Sequence, residues 1–289
     1  MPKLGFYSIG ESNVICDQCG RAFKSNQLKK RWDNAWTCNM CWEPRHPQDF
    51  VRGIKDNQAP ALDRPRAAMP QYYADFPSGL TNYAELPNDT TIIIANQVDI
   101  RVKVASANWT ANPLHQVFIE KGSSVNSTSK EFSFSIFDGA NLLLNWAQSS
   151  ASISSAFSST FPSLTNGVAY WLRATLDKST GNASTVKFYT STDYNPSGRS
   201  GSWSQVGSTQ TGVPTSYSAI GNNPVTLKKS LGVGPTGNFV GKIYYAEVLS
   251  SIDGPTVYSF DANNAINDTM VSSPNGIWNL YNGATMVEI

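Results

Sequence analysis

The residues best suited to chemistry in this chain are its four cysteines, Cys16, Cys19, Cys38 and Cys41. They form two Cys-x-x-Cys pairs with eighteen residues between them. That spacing suits a four-thiolate zinc site, in which two short turns each present two sulfurs to one tetrahedral ion. A catalytic zinc keeps a position open for water, whereas four thiolates close the shell. The expected role of Zn2+ is therefore structural. His46 follows Cys41 by five residues and is read as a packing or hydrogen-bonding residue of its turn.

Other chemistries lack their residues. The chain has two histidines, too few for a histidine-rich nuclease centre. Glycoside hydrolysis needs two carboxyls flanking the scissile bond. Beyond residue 79 the glutamates are Glu85, Glu120, Glu131, Glu247 and Glu288, and none has a carboxylate two residues away. Glu247 reads as a hydrogen-bonded structural acid, and the expectation is a protein that is not an enzyme. Sugar binding asks for an exposed aromatic face with amides and carboxylates around it. Trp203, in the loop-like run GRSGSWSQVG, is the candidate stacker; Trp109, Trp146, Trp171 and Trp278 read as core or sheet-face residues. Asp138, Asp177, Asp193 and Asp261 are isolated and suggest no calcium site.

The elements that must hold these residues follow from composition and pattern. The chain has 289 residues, 40% hydrophobic and only 15% charged, with a formal net charge of +1. Sparse charge beside abundant Ser, Thr, Asn and Gly favours an all-β protein. Residues 1–54 are read as a zinc module, with Gly20 serving the positive φ of its first knuckle and Phe23, Leu28, Trp32 and Trp36 as a small apolar cluster. Such a module is too small to be stable without its metal. Residues 55–78 are read as an extended linker punctuated by Pro60, Pro65, Pro70 and Pro77. Fully stretched at about 3.1 Å per residue, it would span roughly 70 Å.

From residue 79 to 289 the text becomes short strands and turns. Residues 99–104, 131–136, 170–176 and 185–190 alternate with a period of two. Gly181-Asn182 reads as a hairpin turn, and 241–249 with 256–260 as another strand pair. The Ser-rich run from Ser149 to Ser159 reads as a loop or edge strand. Many strands at regular spacing without a long helix predict an antiparallel sandwich or jelly roll.

The opening MPKLGFYSIG lacks an apolar signal core, and the longest apolar runs are too short to span a bilayer. The expectation is a soluble chain made in a reducing cytoplasm. Residues 1–70 carry a net +4 and the remainder −3. Lys24, Lys29, Lys30 and Arg31 make a short basic cluster, read as solvated surface rather than a nucleic-acid patch.

Two stretches resemble known families. Ile15–Gly53, and above all its run CWEPRHPQDFVRG, resembles a zinc ribbon recurrent in tailed-bacteriophage proteins. DIRVKVASANWT, FSFSIFDGANLLLNWA, YWLRATLDKSTGNASTVKFYTSTD, GKIYYAEVLSSIDG and NGIWNLYNGATMV resemble concanavalin A-like, laminin G-like domains of phage structural proteins. The resemblance implies a two-sheet jelly roll whose last segment, Trp278–Val287, pairs near Tyr83–Leu86. It also implies an accessory virion protein docked through the zinc ribbon to capsid, neck or tail proteins. The alternative is an adhesion module for host-surface glycan. Homo-oligomerisation stays open, and the fold by itself does not choose among these roles.

Overall fold

A computed structural model describes residues 9–50, 70–79, 81–87, 97–110, 115–122, 130–149, 152–178, 184–213, 223–229 and 239–289. The chain divides into two compact units, Met1–Arg66 and Ala67–Ile289. The expected turn at 181–182 and linker residues 55–69 lie outside the described residues.

The N-terminal unit is two small antiparallel hairpins. One pairs β1 (Asn13–Ile15) with β2 (Ala22–Lys24), the other β3 (Leu28–Lys30) with β4 (Trp36–Cys38). Its core is Cys16, Leu28 and Cys38, with Val14, Phe23 and Cys41 packed against them. Phe23 and Leu28 join the small core as expected, but Trp32 and Trp36 do not. They are 42% and 51% exposed. Four three-residue strands cannot enclose an indole; the cysteine sulfurs occupy the centre instead.

The C-terminal unit is an antiparallel jelly-roll sandwich. Its strands are β5 (Tyr72–Phe76), β6 (Tyr83–Leu86), β7 (Gln97–Ser106), β8 (Gln116–Gly122), β9 (Lys130–Phe137), β10 (Asn141–Ser149), β11 (Ser152–Phe157), β12 (Tyr170–Asp177) and β13 (Ser184–Ser191). They continue with β14 (Ser204–Gln205), β15 (Gln210–Val213), β16 (Val225–Leu227), β17 (Gly241–Leu249), β18 (Thr256–Asp261), β19 (Ala265–Asn267), β20 (Met270–Ser273), β21 (Gly276–Tyr281) and β22 (Thr285–Glu288). The first sheet runs β11-β10-β9-β8-β16-β6-β21-β20-β19. The second runs β14-β13-β12-β7-β17-β5-β22, with β15 beside β13 and β18 beside β17.

Period-two alternation sends Val98, Ile100, Val102 and Val104 of β7 into the core. Leu172, Ala174 and Leu176 of β12 join them. From the other sheet come Phe118, Phe132, Phe134, Leu142, Leu144 and Trp146. Phe118 meets Phe134 and Phe239 edge-on, with centroids 5.7 and 5.6 Å apart. Trp109, Trp146 and Trp278 are fully buried.

The β12–β13 and β17–β18 pairings match the sequence expectation. The Ser-rich run supplies an edge strand, β11. Asn279–Tyr281 pairs with Tyr83–Glu85, as the resemblance implied. One boundary is corrected. Tyr72–Phe76 fell inside the expected linker, yet it is a sheet strand paired with β17 and β22. Pro70 and Pro77 flank this strand and do not interrupt it, so the ladder lacks no donor.

Candidate functional site

Two places in the molecule gather chemistry. The first is the cysteine cluster. Cys16 closes β1 and begins a knuckle in which the Gly20 N–H bonds back to the Cys16 carbonyl at 2.9 Å. Gly20 has φ +65°, the value this turn needs. The second knuckle closes one residue sooner, the Cys41 N–H donating to the Cys38 carbonyl at 3.0 Å. The backbone N–H of Cys38 donates to Cys16 Sγ at 3.3 Å, and the Trp36 N–H donates to Asp17 Oδ2 at 2.7 Å, so each hairpin holds the other.

The four Sγ atoms lie within 4.8 Å of one another, with Cys19 and Cys38 at 4.0 Å. A tetrahedron with metal–sulfur bonds of about 2.3 Å has edges of roughly 3.8 Å, so the set is able to hold a metal ion. Burial raises the Cys16 thiol, but backbone N–H groups of Cys19, Cys38 and Gln18 outweigh it and bring it down to about 6. Hydrogen bonding with Cys38, then burial, pushes Cys41 up to about 12. Metal binding must therefore displace protons, and affinity weakens as the pH is lowered.

His46 stands beside this cluster, not in it. Its ring meets Trp32 edge-on at 4.3 Å, and its Nδ1 accepts the Gln48 N–H at 3.0 Å. The basic cluster is partly engaged: Arg31 pairs with Asp33 at 2.5 Å, and Lys29 donates to Asn39.

The second place is the outer face of the second sheet, where two neighbouring cross-strand rows differ in fate. Glu247, Arg101 and Arg173 lie side by side on β17, β7 and β12. Asp99 accepts from both guanidiniums, at 2.6 Å from Arg101 and 2.8 Å from Arg173. Asp253, from the turn after β17, bridges the same two at 2.5 and 2.8 Å. Tyr194 accepts from Arg101 and donates to Glu247 at 3.2 Å. Burial would lower the Arg101 guanidinium, but Asp99 outweighs it and holds it above its ordinary value. Burial likewise pushes the Glu247 carboxyl up, against the pull of Arg101. This row is covered and fully paired, and Glu247 is the structural acid that the sequence suggested.

Trp203 belongs to the same cover. It is half-buried, its ring over Arg173 at 5.4 Å and Arg101 at 5.9 Å, and beside Tyr194 at 4.8 Å. The loop that carries it folds back tightly: a Cβ on Gly201 would stand 2.6 Å from Tyr194 Cα. Asp193 ties the loop's ends by accepting from Ser202 and Ser191.

The adjacent row is only partly covered: Asp261, Tyr245 and Lys103 are half-buried, whereas Trp171 and Ser191 are buried. Asp261, Tyr245, Lys103, Trp171 and Ser191 align across β18, β17, β7, β12 and β13. A bulge between Ile243 and Tyr245 leaves Tyr244 unpaired. Ile243 and Ala246 both enter the core, so Tyr244 and Tyr245 share the outer face. The result is a cleft of about 300 Å³ lined by Trp171, Tyr244, Tyr245, Lys103 and Asp261. Gln71, Tyr72, residues 194–197 and Asn263 complete its walls. Trp203 does not line it. Sequence reasoning missed this cleft; the Tyr244-Tyr245 doublet inside an alternating strand was its one visible trace. Asp261 is the single carboxylate among the lining residues, short of the pair that glycoside hydrolysis requires.

No protein-family model matches the chain, nor does any curated protein sequence. Among solved structures it is similar to a heptameric SAP-like pentraxin from Limulus polyphemus (15% identity, TM-score 0.42, covering 64% of this chain and 78% of that one). It is also similar to the CBM40 of a Ruminococcus gnavus IT-sialidase bound to alpha2,3 sialyllactose (13%, 0.46, 63% and 91%). A third is the LG1-3 region of the laminin alpha2 chain (13%, 0.37, 66% and 34%). Likeness this distant assigns neither a family nor a ligand to the chain.

Proposed function

We propose that this chain is an accessory protein of a tailed-bacteriophage particle, attached through a zinc-bound N-terminal module and displaying a glycan-binding jelly roll. The open aromatic cleft on the second sheet carries the reading. Its floor offers ring faces for stacking on a sugar, and its walls offer amides and a carboxylate for hydroxyls. Such a cleft supports adhesion as well as scaffolding.

Attachment through the N-terminal unit is supported by what that unit leaves uncovered. Ile15, Trp32, Trp36 and Met40 are 63%, 42%, 51% and 93% exposed. Val14, Ile15, Leu28 and Trp36 line a shallow hollow of about 510 Å³. Apolar exposure on so small a module fits a docking surface for another virion protein. The closed thiolate set and its spacing favour zinc as the ion. The phage assignment rests on the two sequence resemblances. Many copies on one particle would turn weak glycan contacts into firm attachment through effective concentration.

The test is glycan-array binding by the full-length, zinc-loaded chain. Binding is expected, and Tyr245→Ala should reduce it at least about tenfold while the melting temperature of the sandwich holds within a few degrees. Silence across host polysaccharides would sink the glycan reading, and absence of the chain from purified particles would sink the virion reading.

A further inference from the structure

We infer that the cleft on the second sheet reads an acidic carbohydrate, a pyranose bearing a carboxylate, with the Lys103 ammonium as the group that receives the charge. The inference rests on the glycan-binding reading and names its ligand class.

Charge pairing on this sheet face is complete in one row and open in the next. Arg101 and Arg173 are saturated by Asp99, Asp253 and Glu247. Lys103 lies one row away on the same strand, half-buried between Tyr245 and Trp171. Among the described residues no carboxylate oxygen comes within 4.0 Å of it. Its Nζ lies over the Tyr244 ring, 5.5 Å from the centroid. Asp261, the acid of the cleft, sits two strands away in the same row with Tyr245 between them. Strands stand about 4.8 Å apart, so the two backbones are roughly 10 Å apart. Asp261 is also occupied, its Oδ1 accepting the Asn263 N–H at 3.0 Å.

The neighbouring amides are biased the same way. Asn263 Oδ1 accepts the Tyr72 N–H at 3.1 Å, and Asn195 Oδ1 accepts the Ser197 N–H at 3.0 Å. In each amide the oxygen already accepts one backbone N–H, and the NH2 group stays available as a donor. An ammonium and two donor amides around aromatic rings complement a ligand rich in acceptors. A sugar ring stacked on Tyr245 or Tyr244, with its carboxylate on Lys103, meets those terms, because a charge-assisted bond in a part-dry cleft outweighs a neutral one. A neutral sugar would leave the half-buried ammonium without a counter-charge.

The test compares carboxylate-bearing oligosaccharides (uronate oligomers and sialyl oligosaccharides) with their methyl esters, which keep the ring and lose the charge. Titrated into the full-length chain, at least one acid should bind about tenfold or more tighter than its ester, and added salt should erode the gap. Lys103→Met keeps the aliphatic stem and should abolish the difference; Lys103→Arg should retain most of it. Equal affinity for acid and ester, or a preference for neutral glycans, overturns this inference and leaves the glycan reading standing. No binding to any glycan overturns both. A preference that survives in Lys103→Met removes Lys103 from the role.

Discussion

At the scale of single residues, the sandwich depends on buried charges that hold loops in place. Lys228 is the simplest case. It is almost fully buried, with φ +67°, and its ammonium donates to the carbonyls of Pro77 at 2.9 Å and Gly79 at 3.0 Å and to Asn82 Oδ1. One side chain thus closes the turn between β5 and β6. Lys228→Met should leave those acceptors unpaired and cost about 2 kcal/mol in chemical denaturation. Burial lowers the ammonium from 10.5 to about 8. Between those two values the unfolded chain binds the proton more firmly, so stability should rise as pH climbs from about 8 to 10.5 and stay flat below about 8. That rise should be missing from the variant. Trp203 shows the same principle from the other side. Read from its loop, it is a free ring; in the fold, two guanidiniums from β7 and β12 lie against it.

At the scale of elements, the decisive feature is the bulge in β17. Ile243 opposes Val104 and Tyr245 opposes Lys103, so Tyr244 is the extra residue. Removing it would restore plain alternation, with Ile243 still facing the core. The expected outcome of deleting Tyr244 is a folded sandwich, by circular dichroism and melting, whose glycan affinity falls several-fold. A collapse of the fold would show that the bulge is required for pairing rather than for the cleft. The strands themselves were legible because their alternation is local. The bulge was less so, since a Tyr-Tyr doublet is compatible with either one inward and one outward ring or two outward rings. Only the registers of β7 and β5 on either side select the second.

At the scale of the whole molecule, the chain is two units with separate sources of stability. The sandwich has an extended apolar core. Among its described residues the N-terminal unit has three buried core residues, two of them cysteines, and it must draw most of its folding free energy from a bound ion. Chelation, or Cys19→Ser, should therefore melt residues 9–50 while the main thermal transition of the sandwich stays put. Trp32 and Trp36 fluorescence with metal analysis would report the first, calorimetry the second. On the proposed virion reading, the same variant should lose attachment to particles. A single cooperative transition that shifts as a whole on chelation would contradict the division.

The sequence by itself determined the β class, the β12–β13 and β17–β18 hairpins and the close set of four cysteines. Each depends on signals within a few residues: alternation, turn residues and Cys-x-x-Cys spacing. It placed the end of the linker too late, because a five-residue strand between prolines looks extended in either role until β17 and β22 pair with it. Only the tertiary structure decided which charges are spent and which are free. Arg101 and Lys103 are two residues apart on one strand and look alike in sequence. Asp253, more than 150 residues away, reaches Arg101, and among the described residues no acid reaches Lys103. Cross-strand rows are assembled from distant segments, and electrostatic pairing is settled by that assembly rather than by spacing along the chain.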